Sequence, residues 1–204
     1  MEKTVLEDIQ ERLAAARREL EEELDRRIAA QRERFRYQLQ QGKVRFEKDM
    51  KAWQRQYRTG LLRYVTRGNL AYLLTAPVIY GLVIPLALLD LSVTIYQQIC
   101  FRVYGIDRVK RGDYVVIDRH HLAYLNALEK LNCVYCGYGN GVIAYAREIA
   151  GRTERFWCPI KHASRVADPH PHFEKFLEYG DAEAYRAWVE SYRRTKNQPE
   201  KEKS

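Results

Sequence analysis

Charged residues are nearly absent from the middle of this 204-residue chain, although they make up 30% of it overall. Residues 69–101 contain one charged side chain, Asp90. The segments on both sides are basic, and the whole chain has a net charge of +8. A charge-free stretch between two basic arms favours contact with a lipid bilayer that has anionic headgroups. Nucleic acid is a disfavoured partner, because no base-reading motif accompanies the basic residues.

Cysteine and the common catalytic motifs are also scarce. The chain has four cysteines, too few for a disulfide scaffold at this length. It has no phosphate-binding glycine loop, nucleophile elbow or paired-carboxylate motif, so a non-enzymatic role is favoured. The first residues contain no basic stretch followed by an apolar one, and we therefore expect no cleavable secretory signal.

Proline does not occur before Pro77, and only Gly42 and Gly60 interrupt the helix-forming residues of the first arm. Apolar residues recur there with a period of about 3.67, which is typical of an 11-residue helical repeat. We therefore predict one long amphipathic or coiled-coil helix over residues 1–68. Such a helix cannot bury its apolar stripe against itself, so residues 6–61 are expected to pack on a second copy or a partner helix. The membrane surface and the rest of the chain are the alternatives.

The charge-free middle, residues 69–101, is predicted to be embedded in a membrane. Its most apolar part, residues 70–89, would be about 30 Å long as a helix, which is one hydrocarbon thickness. Pro77 and Pro85 supply places for a bend. A re-entrant hairpin that breaks between Pro85 and Asp90, a single span over residues 70–89 and a buried soluble hairpin all remain open. Equal numbers of flanking cations lead us to expect both terminal regions in the cytoplasm.

The third part, residues 102–194, is predicted to be a small α-rich metal-binding domain. A helix that ends at Asn132 would be followed by Cys133 and Cys136, whose Cys-x2-Cys-Gly sequence is typical of a metal knuckle. Cys158 and His162 would form a second pair, one helical turn apart. The resulting Cys3His set matches tetrahedral Zn²⁺. An iron–sulfur cluster, or a redox pair with a separate buried thiol, are the alternatives.

Four further histidines stand in two pairs, His120 with His121 and His170 with His172. Together they could build a more open metal or acid–base site, although histidines in such loops are commonly surface residues or caps. Short helices are expected near residues 173–179 and 182–194, followed by a disordered tail over 195–204.

The sequence therefore predicts a mainly α protein with a long N-terminal amphipathic helix, a proline-broken membrane segment and a C-terminal metal knuckle. Four protein ligands would leave no open position on the ion, so the site would be structural. The corresponding function is a membrane-anchored adaptor or assembly scaffold. The alternative is a membrane-associated metalloenzyme or redox protein that uses the cysteines or the four paired histidines.

Overall fold

The computed structural model describes residues 5–40, 43–67 and 70–197, and it is mainly α-helical as predicted. A single β-hairpin is present in these residues. Residues 195–197 of the predicted disordered tail belong instead to the last helix, which ends at Asn197, and residues 198–204 lie outside the described residues. The elements are α1 (Val5–Arg34), β1 (Tyr37–Gln40), β2 (Lys43–Phe46), α2 (Lys48–Gln56), α3 (Leu61–Arg67), α4 (Leu70–Gly81), α5 (Val83–Tyr96), a π turn (Gln97–Phe101), α6 (Arg102–Tyr104), α7 (Ala127–Trp157) and α8 (Ala182–Asn197).

The first arm is not one helix. The helix α1 ends at Arg34, and Arg36 adopts a φ of +46°, a left-handed conformation that is uncommon outside glycine. The strands β1 and β2 then pair antiparallel, with Tyr37 opposite Phe46. The prediction was wrong here because the spacing of Leu39 and Phe46 fits a helical stripe and an alternating hairpin equally well.

The chain divides into two compact units. The first combines Met1–Leu74 with Ile117–Val134, and the second combines Thr75–Val116 with Tyr135–Ser204. In the first unit, the buried side chain of Gln54 on α2 accepts a hydrogen bond from the backbone of Ala123 at 2.9 Å. That bond joins α2 to a segment almost seventy residues further along the chain.

A 31-residue helix, Leu74–Tyr104, is here termed the apolar helix, and from Thr75 onward it belongs to the second unit. The predicted break between Pro85 and Asp90 does not form, because α5 continues through both residues. The irregularity nearest to Pro85 falls at Leu82, between α4 and α5. It lies one turn before Pro85, because proline has no N–H to donate to the carbonyl of Gly81.

The apolar helix ends at a glycine that reverses the chain. Gly105 has a φ of +68°, and the N–H of Ile106 bonds to the carbonyl of Phe101 at 2.9 Å. This is the Schellman arrangement, in which a left-handed residue satisfies the last carbonyls of a helix. The chain then turns back along the helix that it has just left.

In the second unit α7 runs parallel to the apolar helix. Tyr80 packs against Tyr135 with ring centroids 5.7 Å apart, and Tyr104 stacks on Phe156 at 4.9 Å. Both helices therefore run in the same direction over more than twenty residues. Their shared core consists of Phe101, Val109, Tyr145 and Ile149.

Two glycines of α7 allow close packing, Gly139 against the apolar helix and Gly141 against the backbone of residues 114–115. A Cβ atom on Gly141 would lie 2.7 Å from the Cα of Val115, and one on Gly139 would lie 3.2 Å from the side chain of Leu86. Among the described glycines only Gly105 and Gly180 have a positive φ. The predicted end of the helix at residue 132 is therefore wrong, because these glycines serve close approach and not a turn.

Candidate functional site

The apolar helix exposes a continuous apolar stripe. Its most apolar stretch contains no buried residue, and the helix is long and apolar enough to cross a membrane. Over residues 88–103 the exposed apolar residues recur at helical spacing along one side, whereas over residues 74–84 they occupy several sides of the helix. The exposed apolar residues are Leu74, Val78, Ile79, Leu82, Val83, Ile84, Leu88, Leu89, Leu91, Ile95, Ile99 and Val103. A stripe of this length on the outside of a protein marks an interaction surface.

In the C-terminal half of the same helix, the opposite side is polar and partnered. Asp90 lies there with a side chain that is only 13% exposed, and it accepts two hydrogen bonds from Arg111, Nε to Oδ1 at 2.9 Å and Nη2 to Oδ2 at 2.7 Å. The hydroxyl of Tyr138 donates to the same carboxylate at 3.1 Å. The single charge of the middle segment is therefore neutralised inside the protein and does not face the apolar stripe.

The buried amide of Gln97 makes a second polar contact on this side. Its Oε1 accepts from the N–H of Val109 at 2.9 Å, and its Nε2 donates to the carbonyl of the same residue at 3.2 Å. The amide also contacts the hydroxyl of Tyr145 on α7. Gln97 thus satisfies a stretch of irregular backbone that would otherwise be buried without partners.

The structure does not bring the four predicted metal ligands together. Cys133 and Cys136 lie within α7, whereas Cys158 directly follows the end of that helix. Because α7 is continuous, about 22 residues at 1.5 Å each separate Cys136 from Cys158, a distance of roughly 33 Å. No ion can bridge that gap. His162 instead packs on Phe173, with ring centroids 6.0 Å apart.

Across residues 5–40, 43–67 and 70–197, no three His, Cys, Asp or Glu side chains are close enough to hold a metal ion. The four cysteines all lie within this part of the chain and are free thiols. Cys136 and Cys158 are exposed.

One of the two predicted histidine pairs, His170 and His172, binds the loop that carries it to α7. His170 Nε2 lies 2.8 Å from Glu154, and its Nδ1 accepts the backbone N–H of His172 at 3.2 Å. Both ring nitrogens of His170 therefore have hydrogen-bond partners, which leaves neither nitrogen free for a metal. A Cβ on Gly151 would lie 2.9 Å from the His170 ring, so the loop rests directly on the helix backbone.

Glu148 completes this contact from the neighbouring turn of α7. It accepts hydrogen bonds from Arg152 at 2.7 Å and lies 3.1 Å from His172 Nε2. Burial raises the pKa of Glu148, but the hydrogen bonds from Arg152 and His172 outweigh it, so the pKa lies below its ordinary value of 4.5. The carboxylate therefore stays ionised, and the arrangement holds the loop in place.

The other pair, His120 and His121, belongs to the first unit, with ring centroids 4.0 Å apart. Burial lowers the pKa of His121, and the neighbouring ring of His120 adds to the effect. The Nδ1 atom of His120 is buried without a partner. The two histidine pairs belong to different units, so each is described by itself.

Sequence reasoning missed an aromatic groove of about 500 Å³ in the first unit. The rings of Tyr37 and Phe46 pack at 5.3 Å on the hairpin, and those of Trp53 and Tyr57 pack at 5.0 Å on α2. The groove exists because the hairpin folds back, an element that the helical interpretation excluded. Its lining residues are Phe35, Tyr37, Phe46, Trp53, Gln54, Tyr57, Leu122 and Tyr124.

Comparison with known proteins found no matching family model, no matching curated protein and no matching solved structure.

Proposed function

We propose that this protein is a membrane-attached adaptor or scaffold protein that is anchored through the apolar helix. The observation that supports this most strongly is the exposed apolar stripe from Leu74 to Val103. Burying a leucine- or isoleucine-sized side chain in an apolar environment stabilises it by about 1.5–3 kcal/mol. Leaving many of them in water on one continuous surface is therefore unfavourable, and a lipid bilayer removes that cost.

The composition of the surrounding segments supports a bilayer with anionic headgroups as the partner. The exposed residues Arg102, Arg108 and Lys110 lie at or just beyond the C-terminal end of the stripe. The Asp107 side chain between them is also exposed and reduces the local charge. Cations beside an apolar surface favour anionic lipids, because both attractions act at the same interface.

The attachment is tested by placing charges on the stripe. Ile84 and Leu88 are 65% and 60% exposed, so Ile84→Lys with Leu88→Lys should not disturb the folded protein in water. If lipid covers the stripe, the pair loses about 3–6 kcal/mol of transfer free energy, enough to move the protein into the soluble fraction. Flotation with vesicles that contain phosphatidylglycerol measures this. The matched control is Ile9→Lys with Leu13→Lys on α1, which should float like the wild type.

Unchanged flotation of the Ile84→Lys, Leu88→Lys protein would contradict the proposal. So would a wild-type protein that stays in the soluble fraction without detergent.

The adaptor part of the proposal rests on α1. This 30-residue helix leaves an apolar stripe exposed, and a helix of this kind stabilises itself by packing on another. We propose a second copy of the chain as its partner. The exposed residues of the stripe are Ile9, Leu13, Leu20, Leu24 and Ile28.

Crosslinking and sedimentation in mild detergent test this association. The variant Leu20→Gln with Leu24→Gln should lower the oligomeric fraction, because it removes two adjacent apolar contacts. The control Glu21→Gln with Asp25→Asn changes exposed residues at the same spacing and should not. A monomeric wild type would end this part of the proposal while leaving membrane attachment intact.

A zinc centre is not part of the proposed function, because the separation of Cys136 from Cys158 on α7 gives it no support. The metalloenzyme alternative likewise has no observation in its favour.

A further inference from the structure

We infer that the apolar helix lies in one face of the bilayer and does not cross it, so that this protein is attached to the membrane from one side. The inference rests on the membrane attachment proposed above. It follows from the parallel packing of two helices and from the residues that connect them.

Within the second unit, hydrogen bonds near both ends of the contact between the apolar helix and α7 show that the two helices are parallel. The hydroxyl of Tyr135 donates to the carbonyl of Ile79 at 2.7 Å, near the start of the contact. The hydroxyls of Tyr96 and Thr153 lie 3.1 Å apart near its end. A membrane-spanning apolar helix would therefore carry α7 through the bilayer beside it, in the same direction.

Two parallel spans require a connection that crosses the membrane in the opposite direction. The connection here is residues 105–126, termed the return connection, and it contains only two three-residue 3₁₀ turns. Irregular backbone in contact with lipid leaves N–H and C=O groups without hydrogen bonds, at several kcal/mol each. The return connection also contains seven charged residues, which are Asp107, Arg108, Lys110, Arg111, Asp113, Asp118 and Arg119.

The first half of the return connection is attached to the polar side of the apolar helix. Val109 is bonded to Gln97, and Arg111 reaches Asp90, about two turns before the π turn begins. The charged connection thus accompanies the helix over the level where a bilayer-crossing helix would pass through hydrocarbon.

A helix that lies along the surface satisfies all of these observations. The stripe Leu88, Leu91, Ile95 and Ile99 would face the acyl chains, while Asp90, Gln97 and the return connection would face water. Such helices enter the bilayer by about 5–10 Å. The cations Arg102 and Arg108 would then lie at the level of the headgroups.

Depth measurements along the stripe distinguish the two orientations. Single fluorophores are placed at Val78, Leu88 and Ile99 in full-length protein whose native cysteines are replaced by serine, and quenching by lipids labelled at shallow or deep positions is compared. A helix in the surface gives the same shallow depth at all three sites. A crossing helix separates Leu88 from Ile99 by about 16 Å along its axis. A fluorophore at Val116, in the return connection, should report water.

A second measurement uses the wild-type chain with a tag at each end, in sealed vesicles. One-sided attachment predicts that external protease removes both tags or neither. Removal of one tag alone, or a depth change between Leu88 and Ile99, would overturn the inference and leave membrane attachment standing. A protein that does not bind vesicles at all would refute the proposed function itself.

Discussion

Replacing Gly141 with alanine tests whether α7 packs as described. A Cβ at this position would lie 2.7 Å from the Cα of Val115 and 2.8 Å from the carbonyl oxygen of Tyr114. Both are backbone atoms, so neither can rotate away. Overpacking of this kind costs about 1–3 kcal/mol. The helix gains roughly 0.5–1 kcal/mol when alanine replaces glycine, so we expect a net loss of up to about 2.5 kcal/mol.

Gly81→Ala is the matched control. Gly81 is also helical, but nothing lies within 4 Å of its Cβ position. The substitution should leave stability unchanged or raise it by up to about 1 kcal/mol. Urea unfolding in detergent micelles, followed by circular dichroism, measures both variants against the wild type. Equal stability of Gly141→Ala and Gly81→Ala would refute the close approach of α7 to the return connection.

Three further predictions concern single contacts. Asn126→Ala should lower the stability by about 1 kcal/mol in thermal unfolding, because Asn126 Oδ1 accepts hydrogen bonds from the N–H groups of Leu128 and Glu129 at 3.0 Å. Asn126→Asp should retain most of this stability. An alanine variant as stable as the wild type would contradict the capping role. A double-mutant cycle of Asp90→Asn and Arg111→Gln should give a coupling free energy of about 1 kcal/mol, since Arg111 is 43% exposed and solvent screens the ion pair. Additive effects of the two substitutions would show that the ion pair does not contribute to stability. Glu148 has a lowered pKa in the folded protein, so its contribution to stability is complete above pH 4.5 and is lost as the pH falls through that lowered pKa. Glu148→Gln should therefore weaken the loss of stability at acid pH. An unchanged dependence of stability on acid pH would contradict this role of Glu148.

The sequence predicted the mainly helical fold, the apolar segment and the last helix. The apolar segment was predictable because the loss of charge between residues 69 and 101 is independent of tertiary structure. The helix α8 was predictable from the apolar spacing of Tyr185, Trp188 and Val189.

The hairpin and the course of α7 were not predictable in the same way. Leu39 and Phe46 fit two periodicities, and only the packing of Tyr37 on Phe46 distinguishes them. Gly141 looks like a turn residue until Val115 is known to lie against it. The predicted metal centre depended on that turn, and the continuous helix α7 keeps Cys136 and Cys158 apart.

One signal in the sequence was available and was missed. Asn126 and Glu129 form a capping pair, in which Glu129 Oε2 also accepts the N–H of Asn126 at 2.8 Å. This spacing is typical of a helix beginning. It would have placed the start of α7 correctly.

Membrane attachment through the apolar helix is tested most directly by fractionating cells that produce the wild-type chain and washing the membranes with alkaline carbonate. The account predicts that the protein stays in the lipid pellet and floats with it on a density gradient, because Leu88, Ile95 and their neighbours are buried among acyl chains. Recovery of folded protein in the carbonate supernatant would contradict it.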